Sequence, residues 1–162
     1  FIEDQLPTWS ADGTEIVLLT RRTGDRKSQL IKVGSSQERS EGTVIGEGEY
    51  PSLGPKNQLL FKGWGNTAFG LRQADINFEN VQTITNVDED TAPILSPDGQ
   101  QVAFMSRREG NWDGYVVNAD GSNLKRLTNN PAQEGMGDRG PDGHGMGFVS
   151  RPGRPTATPS PL

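Results

Sequence analysis

Residues 93–99 read Pro-Ile-Leu-Ser-Pro-Asp-Gly, and versions of this stretch recur along the chain. Residues 7–13 read Pro-Thr-Trp-Ser-Ala-Asp-Gly, and residues 51–57 read Pro-Ser-Leu-Gly-Pro-Lys-Asn. The asparagine stands where the other copies have glycine, and it is the residue that best replaces glycine at positive φ. A fourth, degenerate copy at 137–143 reads Gly-Asp-Arg-Gly-Pro-Asp-Gly, so the copies begin 44, 42 and 44 positions apart. The residues that define the turn motif are Pro7, Asp12, Gly13, Pro93, Asp98 and Gly99.

Each repeat is predicted to contain four strands. A short first strand ends in the turn motif, and an apolar second strand follows, at 16–19 and again at 102–105. The third strand covers 29–33 or 115–118, and a turn with Asp120 and Gly121 leads into the fourth strand. Repeats of roughly 40–50 residues with four strands are typical of propeller blades. The sequence therefore predicts an all-β fold: a β-propeller fragment of about three and a half four-stranded antiparallel blades in an incomplete ring. A plain β-sandwich is the alternative.

Composition agrees with many short strands, because 21 glycines and 11 prolines stand among 162 residues without collagen periodicity. A net charge of −5 argues against a nucleic-acid partner. No apolar run is long enough for membrane insertion, and no signal peptide begins the chain. The absence of cysteine excludes disulfides, cysteine-ligated metals and thiol catalysis. We expect no cofactor.

The third repeat carries a family resemblance. Its motifs are Ser-Pro-Asp-Gly at 96–99, Val-Ala-Phe-Met-Ser-Arg at 102–107, Tyr-Val-Val-Asn-Ala-Asp-Gly-Ser-Asn at 115–123 and Arg-Leu-Thr-Asn at 126–129. This series resembles the TolB-type β-propeller repeat, which is WD-like in architecture but carries a different motif. The first repeat matches well through its second strand, the second keeps mainly its turn and last strand, and the fourth keeps its turn and a second strand.

The resemblance implies a fold more firmly than a function. It covers roughly residues 5–151, and such propellers usually have six to eight blades, so it implies that blades are missing here. The family includes TolB, a periplasmic protein that binds partners of the Tol–Pal system, and also propeller domains of prolyl-oligopeptidase-like and tricorn-like peptidases. The resemblance thus implies a periplasmic or extracellular location in a bacterium.

Two domain regions are expected. Residues 1–151 hold the repeats, with blades starting near 7, 51, 93 and 137 and the last one degenerate. Residues 152–162 alternate proline with threonine or serine, a composition that favours extended, solvated chain, so we expect a linker or tail.

Candidates for chemistry are few. The only histidine, His144, lies in the degenerate turn, and no Gly-x-Ser-x-Gly elbow is present. Residues 135–140 match Gly-x-Gly-x-x-Gly, but the proline that follows opposes the helix a phosphate site requires. The run Asp88, Glu89 and Asp90 would suit a hard cation but lacks the spacing of a calcium loop, so a solvated or ion-paired loop is favoured over a metal site. No catalytic residue and no metal ligand is predicted.

One face of the propeller is predicted to be a binding rim. The loops that enter first strands lie on the same face as the loops that join second to third strands. The first set is acidic and the second basic or aromatic. The candidate rim residues are Arg21, Arg22, Trp64, Arg107, Arg108, Trp112, Glu49, Asp88, Glu89 and Asp90. Arginine beside tryptophan is typical of interface anchors, whereas pairing of the arginines with carboxylates of adjacent blades is the structural alternative.

The sequence therefore favours a non-catalytic module that binds a protein or peptide. The alternative is an accessory propeller of a peptidase whose catalytic domain is absent from this chain. A third possibility is a truncated fragment without function. Because terminal repeats without caps expose apolar faces, we also expect the isolated chain to self-associate through open propeller ends or to be only marginally stable.

Overall fold

The computed structural model describes residues 2–22, 27–36, 42–64 and 69–129, together with short strands at 133–134, 138–139, 146–147 and 150–151. The described residues form β-strands and no helix, and every strand pair is antiparallel. The all-β prediction is confirmed.

The strands form three four-stranded blades. Blade 1 contains β1 (Ile2–Trp9), β2 (Glu15–Arg22), β3 (Ser28–Gly34) and the first part of β4 (Thr43–Leu53). Blade 2 contains the rest of β4 with β5 (Leu59–Gly63), β6 (Leu71–Ala74) and β7 (Gln82–Thr83). Blade 3 contains β8 (Thr91–Leu95), β9 (Gln101–Ser106), β10 (Asp113–Asn118) and β11 (Lys125–Arg126).

Strand β4 belongs to two blades. Its residues 43–47 pair with β3, and its residues 48–53 pair with β5, so blades 1 and 2 form one continuous seven-stranded sheet. Blade 3 forms a separate four-stranded sheet in the order β11-β10-β9-β8. The outer strand of blade 1 thus becomes the inner strand of blade 2 without a loop between them.

The apolar second strands of blades 2 and 3 are buried on both faces, as their composition predicts, whereas Ile16 and Leu18 of blade 1 are only partly buried. In β5, Leu59 and Phe61 pack with Val17 and Leu30 of blade 1. Leu60, the residue between them, packs into the cluster shared with blade 3. Because neighbouring residues of a strand point to opposite faces, a continuous apolar run serves two interfaces at once.

The turn motif is a network of short hydrogen bonds. The Ser96 hydroxyl donates to Asp98 Oδ1 at 2.6 Å, and the N–H of Gln101 donates to the Ser96 oxygen at 2.8 Å. Gly99 closes the turn at φ +75°, with its N–H bonded to the Ser96 carbonyl oxygen. Ser10, Asp12 and Gly13 repeat the same arrangement in blade 1. Asn57 adopts φ +58° in blade 2, which confirms the substitution read from the sequence.

A bulge recurs on the innermost strand of every blade. Leu6, Tyr50 and Ala92 have φ of 53°, 52° and 51°, and each precedes the proline that opens a repeat. The pairing register shifts at the same place in all three strands. A residue other than glycine is strained in the left-handed region of φ. Because this strain recurs at the same position, the three innermost strands bend alike.

The fourth repeat is described in part. Strand β12 (Gln133–Glu134) pairs with β15 (Ser150–Arg151), and β13 (Asp138–Arg139) pairs with β14 (Met146–Gly147). Apart from 138–139, the fourth turn copy lies outside the described residues, as do His144 and residues 152–162.

Candidate binding rim

Three equivalent residues stand at the rim, one in each blade. Arg21, Trp64 and Arg107 each stand at the rim end of a second strand, and they lie 43 positions apart. The equivalence follows from the ladders, in which Thr20 pairs with Gln29 and Ser106 with Asp113. The rim thus presents an arginine, a tryptophan and an arginine along successive blades. Arg22, the last residue of β2, pairs with Ile2 at the same end of blade 1.

At the corner between blades 1 and 2, an arginine covers a buried carboxylate. Nη2 of Arg21 lies 2.6 Å from Oε1 of Glu49, and the Ser28 hydroxyl donates to the same oxygen at 2.7 Å. Glu49 is buried, while Arg21 is exposed. Beside them, Lys27 forms an ion pair with Glu47.

The acidic run 88–90 is split between two cations. Asp88 forms an ion pair with Lys62 at 3.3 Å. Asp90 is fully buried and accepts two hydrogen bonds from Nη2 of Arg108, at 2.6 and 2.7 Å. Glu89 lies between them and is partly exposed. Among the described residues, no group of three acidic or histidine side chains could hold a metal ion.

Arg108 lies over the core of blade 3 and does not extend into solvent. Its guanidinium carbon is 5.0 Å from the centre of the Tyr115 ring and 5.5 Å from that of Phe104. Burial raises the pKa of Tyr115. Arg108 therefore joins the rim to the core, and its cation is already engaged by Asp90 and two rings.

The side chain of Arg107, in contrast, extends into solvent. Its guanidinium carbon lies 5.9 Å from the centre of the Trp112 ring, and its side chain is exposed. Within the described part of the chain, Arg107 forms no ion pair with a carboxylate. It is thus a cation stacked on an aromatic ring at the surface.

The sequence reading missed one rim aromatic, Phe69. The N–H of Gly63 donates to the Gly70 carbonyl oxygen at 2.8 Å, which places Trp64 and Phe69 on either side of the same loop base. Phe69 is 60% exposed and Trp64 37%. The repeat period offers a signal for it, because Phe69 stands 43 positions before Trp112, the same offset that relates Trp64 to Arg107.

The structural turn residues lie at the far ends of the blades. Asp12, Asp98 and Asp120 each accept hydrogen bonds from residues two positions away. Gly121 adopts φ +84°. Hydrogen bonds from Ser10 and Thr14 lower the pKa of Asp12 from 3.8 to about 2. These residues shape the turns and do not reach the rim.

The innermost strands line an open axial pocket of about 220 Å³. Its wall consists of three equivalent tripeptides, 6–8, 50–52 and 92–94, each centred on the proline of the bulge. None of the described residues forms a helix that would cross a bilayer.

Comparison with known proteins gives relatives in sequence and in fold. The Tol-Pal system protein TolB of Francisella tularensis subsp. tularensis (strain WY96-3418) is 29% identical over 114 residues, which cover 67% of this chain and 26% of that protein. The chain therefore spans about a quarter of the length of the curated relatives it matches. No protein-family model matches the chain.

Solved structures confirm the fold. TolB from Acinetobacter baumannii superposes with a TM-score of 0.76 at 23% identity, over 93% of this chain and 38% of that one. A prolyl endopeptidase gives a TM-score of 0.61 at 15% identity, over 83% of this chain and 23% of that one. In its fold, the chain is similar to a stretch of the TolB β-propeller.

Proposed function

We propose that this chain is a non-catalytic propeller module that binds a protein or peptide through its rim and works outside the cytoplasm. The observation that carries the proposal is the set of exposed or partly exposed aromatic and arginine side chains on one face. Trp64, Phe69, Arg107 and Trp112 all flank the loops between second and third strands. Large aromatic residues and arginine dominate binding energy at protein interfaces.

The relatives support this function. The similar Francisella protein is named for the Tol-Pal system. The resemblance to the TolB-type repeat implies a location outside the cytoplasm. The sequence itself has no cysteine, a single histidine and no nucleophile elbow, so nucleophilic catalysis has few residues to use. Blades that stack through their faces leave their loop-bearing ends free for a partner.

Site-specific cross-linking tests the rim. Phe69 is replaced by p-benzoylphenylalanine, and the protein is irradiated in the periplasm of cells that express it. The matched control carries the same photoreactive residue at Gln100, an exposed turn residue at the far end of blade 3. We expect a discrete adduct from position 69 that disappears in the triple variant Arg107→Ala, Trp112→Ala and Trp64→Ala. Equal adduct yields from positions 69 and 100 would contradict the proposal, and so would an adduct from position 69 whose yield is unchanged in the triple variant.

A second candidate is an accessory propeller that controls substrate entry to a peptidase. The fold likeness to a prolyl endopeptidase favours it. The gene that encodes the parent protein discriminates between the two, because a catalytic domain with a Gly-x-Ser-x-Gly elbow beside this region would favour the peptidase.

A further inference from the structure

We propose that the rim recognises an extended segment that carries two carboxylates about six residues apart with an apolar side chain between them. The inference rests on the proposed function and adds the chemistry of the partner. It begins from the row of equivalent residues, Arg21, Trp64 and Arg107, which places a cation on either side of an aromatic centre.

The cations of this row are available although the chain is acidic overall. In the Arg21–Glu49 pair, the arginine side chain is 48% exposed and the glutamate side chain 10%. The carboxylate therefore lies beneath, and the guanidinium covers it. Arg21 uses Nε for Ser28 and Nη2 for Glu49. A guanidinium has five N–H donors, so it retains others for a ligand.

At the other end of the row, Arg107 is a stronger anion site. It is exposed, and no described carboxylate forms an ion pair with it. Trp112 supports its guanidinium from one side at 5.9 Å. An arginine held on a ring loses less side-chain entropy when it binds a carboxylate.

The centre of the row is apolar. Trp64 and Phe69 flank one loop base, and both expose ring surface. Trp64 takes the position in blade 2 that an arginine holds in blades 1 and 3, and the Arg72 guanidinium below is buried against the Phe69 carbonyl oxygen. In the Lys62–Asp88 ion pair of this blade the acid is the exposed partner, since the Asp88 side chain is 59% exposed and that of Lys62 only 16%. A ligand carboxylate is thus favoured over blades 1 and 3 and disfavoured over blade 2.

The spacing follows from sheet geometry. Sheets that pack face to face lie about 10 Å apart, so residues two blades apart are separated by about 20 Å. An extended peptide rises about 3.3 Å per residue, which gives about six residues between the two carboxylates.

Three capped peptides of equal length test this inference by fluorescence anisotropy with the full chain. The first is Asp-Ser-Ser-Phe-Ser-Ser-Asp. The second has asparagine in place of both aspartates. The third, Ser-Ser-Asp-Phe-Asp-Ser-Ser, keeps the charge but brings the carboxylates two residues apart. We expect the first to bind about tenfold more tightly than the second and about fivefold more tightly than the third, since one exposed charge pair contributes at most about fivefold.

Variants locate the effect. Arg107→Gln should weaken binding of the first peptide about fivefold and leave the second unchanged. Lys56→Gln removes an exposed cation from the far end of blade 2 and should change neither. Equal binding of the first two peptides that still requires Trp64 would overturn the carboxylate inference and leave the rim function intact. Preference for the third peptide would overturn the spacing. Binding of no peptide, with the position-69 adduct still formed, would also overturn the inference.

Discussion

A single nitrogen of the Arg108 guanidinium, Nη2, donates to both carboxylate oxygens of Asp90, at 2.7 Å to Oδ1 and 2.6 Å to Oδ2. The two side chains differ in exposure: Asp90 is fully buried, and Arg108 is 17% exposed. The pair ties the segment before β8 to the loop after β9 and closes the rim end of blade 3.

Loss of the arginine should cost more stability than loss of the aspartate. Arg108→Ala leaves a buried carboxylate without its cation, which typically costs about 3–5 kcal/mol. Asp90→Ala leaves an arginine that can turn toward solvent, so we expect a smaller loss, about 1–2 kcal/mol. Urea denaturation of both variants measures the difference. If Arg108→Ala lowered the free energy of unfolding no more than Asp90→Ala, the burial of the Asp90 carboxylate would not be what makes the pair stabilising.

The turn carboxylate of Asp12 makes stability depend on pH in the acid range. Hydrogen bonds from the Ser10 hydroxyl and from Thr14 lower the pKa of Asp12 from 3.8 to about 2. A carboxylate whose pKa is lower in the folded state stabilises the fold above its unfolded-state pKa. That contribution is lost as the pH falls from about 4 to about 2.

Denaturation of the wild type and of Asp12→Asn at a series of pH values checks this. The wild type should be the more stable at pH 6, and the two should converge toward pH 2. A difference that stays constant over that range would contradict the low pKa of Asp12.

Contact between blades 2 and 3 depends on a glycine. A Cβ atom at Gly121 would lie 2.7 Å from the Ile84 carbonyl oxygen, whereas one at Gly110 would meet nothing within 4 Å. Both glycines have positive φ, +84° and +93°, so alanine strains the backbone similarly at each. Gly121→Ala should therefore lower the free energy of unfolding by about 1–3 kcal/mol more than Gly110→Ala. Similar losses would mean that the two blades are not in close contact at this turn.

The open face of blade 1 should make the isolated chain self-associate. Ile16 and Leu18 are only partly buried, although their equivalents in the next blade, Leu59 and Phe61, are fully buried. Trp9, which pairs with Ile16 and so shares its face, is 58% exposed. Uncovered repeat faces associate because water contact with apolar surface is unfavourable.

Sedimentation velocity over a range of concentrations measures this association. We expect Trp9→Lys to shift the chain toward monomer, and Leu124→Lys, an exposed change just before the outer strand β11, to have little effect. A compact, heat-resistant monomer of the wild-type chain would contradict the prediction.

Much of the fold was predictable from one repeated turn. The offsets of Pro7, Pro51 and Pro93 gave the blade period, and the asparagine at position 57 was correctly predicted to replace glycine. The left-handed residues before those prolines were not predicted, because a residue before proline ordinarily adopts extended backbone. Their common position is a tertiary effect: each blade must bend where it meets the axis.

The rim was less predictable in detail. Sequence placed Arg107 and Arg108 together, but their side chains diverge, one toward solvent on Trp112 and one onto the core. Adjacent strand-end residues point to opposite faces, and a loop of unknown shape hides which face is which. Phe69, by contrast, was within reach of the repeat period, since it stands 43 positions before Trp112 and the Gly63–Gly70 pair is equivalent to the Ser106–Asp113 pair.

The tryptophan side chains offer the most direct test of rim binding. The chain has only three, Trp9, Trp64 and Trp112, so a ¹⁵N-labelled sample gives three indole N–H signals. Titration with the peptide Asp-Ser-Ser-Phe-Ser-Ser-Asp should shift the signals of the two rim residues and leave that of Trp9, at the far end of blade 1, in place. A shift confined to Trp9, or no shift at Trp64 and Trp112 when the peptide binds, would contradict a partner site on the rim.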